Sequence, residues 1–386
     1  MKNIILVRFF FFIFFSAWTF IFSFIPVYLR EKGFSIGMIG SLSAISSFVG
    51  AIFQIFIGYL SDKIGKRKPF IIIGLTILSF IYSFVFPRLN SYFSFLLLYP
   101  ILGIFINAVT TSSNILVIDL SVAEKIGRDY ASTRIWGSLG FLILMIIISF
   151  FSHLTSPRIM FPAIGIIYLL GIIVISLVKE PEIKVGIQPI EFRDIKKLIL
   201  RPELRNFLLF YLFYFTALVG ASSNVNLLIK YIGGTNQHIS FAYAVSAASE
   251  IPFMIIWGTL SDKIGRKPIL LFSSLMLPLR IFLYSITKNP SHIILIQLMH
   301  SLTFAVIGTI PIVYINDLVS PEERGTAQGV LSMTMALSST FGPLISGFSA
   351  DLLGLPGMYL FLTSISLIST LIALTSLKES KRKVNK

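Results

Sequence analysis

Residues 58–69 read GYLSDKIGKRKP, and residues 258–268 read GTLSDKIGRKP. A charged stretch repeated at a spacing of 200, inside a chain otherwise made of apolar runs, marks an internal duplication. The rest of the chain says what surrounds it. The 386 residues are 55% hydrophobic and 13% charged, with a mean hydropathy of +0.87. Charged residues make up about 25% of a typical soluble domain, so the solvent for this surface is lipid. There is no cysteine, which excludes disulfides, zinc-thiolate sites and a cysteine nucleophile. The net charge of +15 would suit nucleic acid, but Lys and Arg sit in short loops between apolar runs rather than on a basic, aromatic-interleaved face, so no nucleic-acid partner is expected. No cofactor and no metal are expected either.

Apolar runs of about 20 residues are long enough to cross a bilayer as helix. Twelve are present, near 9–29, 37–60, 69–88, 94–118, 132–152, 159–178, 206–228, 238–260, 269–287, 292–316, 327–350 and 358–377. The fold class is therefore an all-α polytopic membrane protein. The first run follows the amino terminus like a signal peptide but lacks a small-residue cleavage site and is too long, so it is read as a retained span. With the amino terminus inside, 24 of the 32 Lys and Arg fall in cytoplasmic segments, six in outer loops and two within spans. That bias places both termini in the cytoplasm and the chain in the cell membrane.

The long polar stretch 179–205 divides the spans six and six. The expected organisation is an amino-terminal six-helix bundle (1–178), a cytoplasmic linker (179–205), a carboxy-terminal bundle (206–377) and a basic tail (378–386). The halves echo one another again after the fourth and tenth spans, where VIDLSVAEKIGR is matched by YINDLVSPEERG. Secondary transporters are commonly built from such repeats, with the substrate site near the bilayer midplane.

The stretch G-x-L-S-D-K-I-G-[KR]-[KR] after the second span, present again after the eighth, resembles the signature loop of the major facilitator superfamily. With twelve spans and a charged central linker, the resemblance covers essentially the whole chain. It implies two pseudo-symmetric bundles that move a small-molecule substrate by alternating access as a monomer. More narrowly, TRIWGSLGF at the start of the fifth span, SEIPF in the eighth, LPLRIFLYS in the ninth and QLMHSLTF in the tenth look like the branch of lactose permease, nucleoside-proton symporters and phenylpropionate permeases.

Arg134, Glu250, Arg280 and His300 fall on that branch's embedded charged positions. An ionisable side chain at a helix centre costs at least about 2.5 to 3.5 kcal/mol on insertion scales, so it is kept only if paired, hydrated or useful. Arg280 has Tyr284 one turn on, and His300 lies between Gln297 and Thr303 on one stripe. A buried pair of Glu250 with Arg280 could lock helices together, and His300 could be a hydrogen-bonded core residue. The functional reading makes Glu250 the proton carrier, protonated in apolar surroundings and released when Arg280 approaches. The branch implies a proton-carrying group in this half. The glutamate that lactose permease places one turn after the tenth-span histidine is here Thr303, and the seventh span has no acid.

In the branch's sugar permeases, the arginine matching Arg134 binds substrate and an aromatic at the Phe141 position stacks on the sugar ring. Arg134 could instead snorkel to the cytoplasmic surface, or pair with Asp119. On the fourth span, Asn107, Thr111 and Asn114 form a narrow polar stripe, either interhelical glue or substrate amides. With Trp18, Tyr214, Ser222, Asn226 and Gln297, these residues suit a sugar, a nucleoside or an aromatic acid alike.

At the cytoplasmic face, Gly58 and Gly258 are expected to end helices where a close neighbour needs room. Gly65 and Gly265 are expected to permit tight turns. Asp62 and Asp262 could cap the next helix or pair with basic groups, while Arg67, Arg266 and the neighbouring lysines would anchor the loops at the anionic lipid surface. An acid at the same place in both copies points to ionic latches. Asp119 and Asp317, matched after the fourth and tenth spans, belong to the same gate.

Two other readings compete. Drug–proton antiporters of the superfamily carry a glycine–proline motif on the fifth span; here that span has no proline, and STFGPLISG in the eleventh is an echo in the other half. A membrane enzyme would need acids or histidines on an ordered outer loop, but Glu31 and Asp351 stand isolated, and no phosphate-cradling glycine motif is present.

Overall fold

The computed structural model describes residues 2–121, 126–181, 198–320 and 323–380. Most of the central linker and the end of the tail lie outside that range. Within it, ten helical segments are long and apolar enough to span a membrane: Asn3–Glu31, Ile36–Ile64, Lys68–Arg88, Tyr92–Leu120, Ser132–Phe150, Pro157–Ser176, Pro202–Ser222, Asn236–Ile264, Arg266–Ile286 and Pro290–Asp317. An eleventh run, Arg324–Ser376, is broken where Gly354 leaves helical geometry at φ 70° and ψ 169°. That break yields the eleventh and twelfth spans, so the twelve expected crossings are all present.

Helix is the form these runs must take, because lipid offers no partner for a bare peptide N–H or C=O. Where the chain turns, polar side chains cap the helices. Ser91 accepts a hydrogen bond from the Ser94 N–H at the start of the fourth span, and Asn289 accepts from the Ser291 N–H at the start of the tenth. Among the described residues, those with positive φ are all glycines: Gly33, Gly65, Gly233, Gly265 and Gly354. Four of these recur at the same register in the two halves, so the duplication shows in backbone conformation as well as in sequence.

The chain forms two compact units, and each borrows turns from a helix of the other sequence half. The first comprises Met1–Phe34, Ile45–Ile187 and Gly234–Ala247; the second comprises Ser35–Ala44, Gln188–Gly233 and Ala248–Lys386. The first unit has an aromatic core in which Phe86 meets Phe95 at 5.0 Å and Phe161 at 5.2 Å between ring centroids. Bare-backbone crossings draw its helices together. A Cβ on Gly140 would collide with the Phe12 carbonyl, and one on Gly103 with the Ser46 carbonyl. Small residues at such crossings let transmembrane backbones approach closely. In the second unit, Gly220 and Gly342 face one another in the same way, and Phe207 packs on Tyr314 at 4.5 Å. Large apolar side chains such as Ile55, Phe150 and Leu352 project outward, as expected of surfaces whose solvent is hydrocarbon.

Candidate functional site

The second unit gathers Glu250, Arg280 and His300, and proline shapes the helices that carry them. Pro278 lies two residues before Arg280; it has no N–H and so frees the Ser274 carbonyl, which accepts instead from the Thr370 hydroxyl. The tenth span tightens to a 3-10 turn at Gln297–Met299 and breaks after Ile307. On that span Gln297, His300 and Thr303 follow one another at a spacing of three. Arg280 takes the outer two: Nη2 donates to Gln297 Oε1 at 2.7 Å and Nη1 to Thr303 Oγ1 at 2.8 Å. Its Nε donates to the Tyr284 hydroxyl at 3.0 Å, which itself donates to Gln297 Oε1 at 3.2 Å.

Glu250 takes the middle residue. Its Oε2 lies 3.4 Å from His300 Nε2. The alternative of a buried Glu250–Arg280 pair is not what is seen here: the guanidinium is enclosed by three neutral acceptors, and the acid meets the imidazole between them. The His300 ring stacks on Phe304 at 4.7 Å, and its buried Nδ1 has no partner among the described residues. Trp257, two turns along from Glu250, donates its indole N–H to the Ser301 carbonyl at 2.7 Å and so fixes the eighth span against the tenth beside the Glu250–His300 contact. Sequence reasoning missed Trp257, although its spacing from Glu250 places both on one helix face. Tyr214 is a core residue, its hydroxyl 2.6 Å from Ser273 Oγ.

In the first unit, Arg134 and Phe141 lie on helix Ile126–Phe150. Gly137 and Gly140 bring that helix onto the first span, and the Arg134 guanidinium rests over the Phe15 ring, 4.4 Å from its centroid. Asp119 is not its partner, because that carboxylate bonds Arg67. Phe141 meets Tyr243 edge-on at 6.4 Å. Asn107 turns back on its own helix, its Nδ2 donating to the Gly103 carbonyl at 2.9 Å; Asn114 on the same stripe is half-buried.

Both signature loops fold into the same ionic cage. Arg67 is 3% exposed; it bonds Asp62 at 2.6 Å, Asp119 at 3.1 Å and Ser61 Oγ at 2.7 Å. Arg266 bonds Asp262 at 2.6 Å, Asp317 at 3.4 Å and Ser261 Oγ at 2.6 Å. These arginines are therefore buried and do not anchor the loops at the lipid surface, since two acids and a hydroxyl compensate each charge. Gly65 (φ 69°) and Gly265 (φ 103°) make the turns that permit this. Gly58 and Gly258 are corrected: both sit inside helices, and a Cβ on either would meet nothing within 4 Å.

Helix capping in the loops falls to acids the sequence reading passed over. Glu180 accepts from the backbone N–H groups of Arg67 and Lys68, and Glu379 from those of Arg266 and Lys267 at 2.9 and 3.2 Å. The signal was there, since VKEP follows the sixth span and LKES the twelfth. Asp351, read as isolated, accepts from Ser35 Oγ at 2.6 Å and from the Ile36 and Gly37 N–H groups at 3.0 Å, capping the start of the second span. Outside the spans, hydrogen bonding by Arg201 holds the Glu323 carboxyl below the usual carboxylate range.

Comparison with known proteins extends these observations. Residues 4–361 match the model of the MFS_1 like family. The maltose permease of Geobacillus stearothermophilus is 24% identical over 379 residues, covering 96% of this chain and 94% of the permease. The multi-drug resistance efflux pump PmrA of Streptococcus pneumoniae is 30% identical over 166 residues, covering 42% of this chain and 41% of the pump. The crystal structure of the nucleoside transporter NupG superposes with a TM-score of 0.83 at 17% identity, covering 97% of this chain and 99% of that one; at that identity the likeness is one of fold.

Proposed function

Since the chain belongs to the MFS_1 like family, and is thus a membrane transporter and not an enzyme, we propose that it carries a small polar or aromatic organic solute across the cell membrane by alternating access, in symport with a proton. In this reading it works as a monomer with both termini in the cytoplasm. Residues 1–178 and 206–377 form the moving halves, joined by linker 179–205 and followed by the tail 378–386.

The observation that carries the reading is the contact between Glu250 and His300 beside a guanidinium held by neutral groups. A proton can reside on the Glu250–His300 pair, and Arg280, which bonds the residues three before and three after His300, trades those bonds for the carboxylate once that proton leaves. Such an exchange is a switch between two arrangements of one element, which is what coupling requires. A potential of about 100 mV is worth roughly 2.3 kcal/mol per charge and one pH unit about 1.4, so one proton supports a gradient of a few hundredfold. The cages around Arg67 and Arg266 are the cytoplasmic gate, with Asp62, Gly65 and Asp119 in one copy and Asp262, Gly265 and Asp317 in the other.

The test uses proteoliposomes loaded with a pH-sensitive dye and offered maltose, uridine or 3-phenylpropionate as probes. Wild-type protein should admit protons with the transported probe, and Glu250→Gln should keep probe exchange while losing proton entry and uphill accumulation. Accumulation that survives in Glu250→Gln removes Glu250 as the carrier. Drug–proton efflux is the second reading, favoured by the partial likeness to PmrA; drug resistance conferred on a pump-deficient host would support it.

A further inference from the structure

Among its described residues, the first unit holds a guanidinium that no carboxylate neutralises. Among the described residues no acceptor bonds Arg134, whose cation rests on the Phe15 ring at 4.4 Å. Four described acids of the same unit are engaged elsewhere: Asp129 with Arg8 at 3.2 Å, Asp62 and Asp119 with Arg67, and Glu180 with backbone N–H groups. One turn beyond Phe15, Trp18 carries a buried indole N–H without an acceptor, its ring 6.1 Å from that of Phe15. One turn further, Phe22 meets Tyr243 edge-on at 5.6 Å, and Phe141, two turns from Arg134, meets the same Tyr243. Residues 15, 18 and 22 lie on one face of the first span. Among the described residues, the face thus offers a guanidinium with no protein acceptor, an unpartnered indole N–H and several rings, with no acid bonded to either donor.

We propose that this face seats the carboxylate of a ring-bearing organic acid, with Arg134 and the Trp18 N–H as donors and the aromatic side chains against the ring. The proposal rests on the solute-transport reading above and narrows it. A planar guanidinium matches a carboxylate with two parallel bonds, and an indole N–H can only donate. A neutral sugar fits less well: each hydroxyl donates as well as accepts, and the acids that would receive those protons already hold Arg8 and Arg67. A lipophilic cation is repelled by Arg134. Aromatic acids and sugar acids share the required chemistry, and the assay separates them.

The full chain in lipid nanodiscs is titrated with matched pairs: 3-phenylpropionate against 3-phenylpropionamide, and glucuronate against glucose. The expected result is that an acid binds and its neutral counterpart does not. Arg134→Gln should weaken the acid at least about 30-fold, Arg134→Lys less, and Trp18→Phe about tenfold. If Arg134→Gln does not fold, the acid–neutral comparison on wild type and the Trp18→Phe titration still decide. Carried with one proton, an acid moves no net charge; its accumulation should rise about tenfold per unit of pH gradient and ignore a valinomycin potential, which would change that of a neutral solute about 50-fold per 100 mV. Equal binding of acid and neutral partner, no binding by either acid, or acid binding that survives Arg134→Gln overturns the seat. Arg134-dependent acid binding combined with uptake blind to the pH gradient upholds the seat and overturns proton symport instead.

Discussion

Replacing Gln297 with leucine should harm the fold more than replacing Arg280, the charge that Gln297 serves. Gln297 Oε1 accepts from both Arg280 Nη2 and the Tyr284 hydroxyl. Leucine removes that oxygen and leaves a buried cation short of a partner, at a cost of about 3–5 kcal/mol, and the added apolar contact returns about 1 kcal/mol. Arg280→Met removes the demand itself. Gln297 Oε1 keeps the Tyr284 O–H, and Thr303 keeps its bond to the Met299 carbonyl at 2.9 Å, so no buried donor is orphaned and the cost should stay near 0–2 kcal/mol. Adding Arg280→Met to Gln297→Leu should therefore recover about 2 kcal/mol, a coupling that independent sites do not show. Equilibrium unfolding in nanodiscs at fixed lipid composition measures all three variants. If Arg280→Met costs as much as Gln297→Leu, or the two costs add, the network is not held together by the needs of the buried guanidinium.

Two further outcomes follow from the loops and the crossings. Asp62→Asn and Asp119→Asn should slow uptake at least about fivefold while leaving the Kd for a transported probe within about twofold, with Asp119→Asn the more severe because its side chain is 16% exposed against 43% for Asp62; lost binding with intact turnover would mean the cage belongs to the substrate site. Gly58→Ala and Gly258→Ala should be neutral or stabilise by about 0.5–1 kcal/mol, since they lie in helix with open space around them. Gly140→Ala, aimed at the Phe12 carbonyl, should lower the midpoint of thermal unfolding, and equal tolerance at all three positions would refute the crossing.

The spans and the duplication were legible because both are written in local signals: long apolar runs, a repeated charged loop and basic residues on one side. Partners were not. Glu250 and Arg280 are the obvious opposite charges of the second half, yet Glu250 bonds His300 because three neutral groups 4 to 23 positions from Arg280 already enclose it. Lys and Arg in a loop read as surface charge, but Arg67 is buried once Asp62 and Asp119 close on it. The repeat marked its second acid, Asp119, for the same gate, but at 52 positions' separation no sequence period gives the bond itself. Gly58 misled for the opposite reason: its recurrence in both copies shows descent from one duplicated motif, and it carries no present contact.

What the duplication preserved, and what it did not, divides the protein by task. The turn glycines, the caged arginines, both acids of each cage and the capping glutamates Glu180 and Glu379 recur between the halves. The embedded charges do not. At the register of the signature loop, Glu250 falls against Gly50, Arg280 against Ile81 and Arg134 against Ser332 or Met333. A movement that opens and closes two halves alike calls for matched devices at matched positions, whereas a single solute and a single proton call for one binding face and one carrier. Exchanging matched devices, with the signature stretches 58–69 and 258–268 swapped between the halves, should therefore leave turnover largely in place. Moving an embedded charge to its register partner, as in Glu250→Gly with Gly50→Glu, should restore none. Recovery of coupled uptake in the second case would show that the two halves are interchangeable in chemistry as well as in motion.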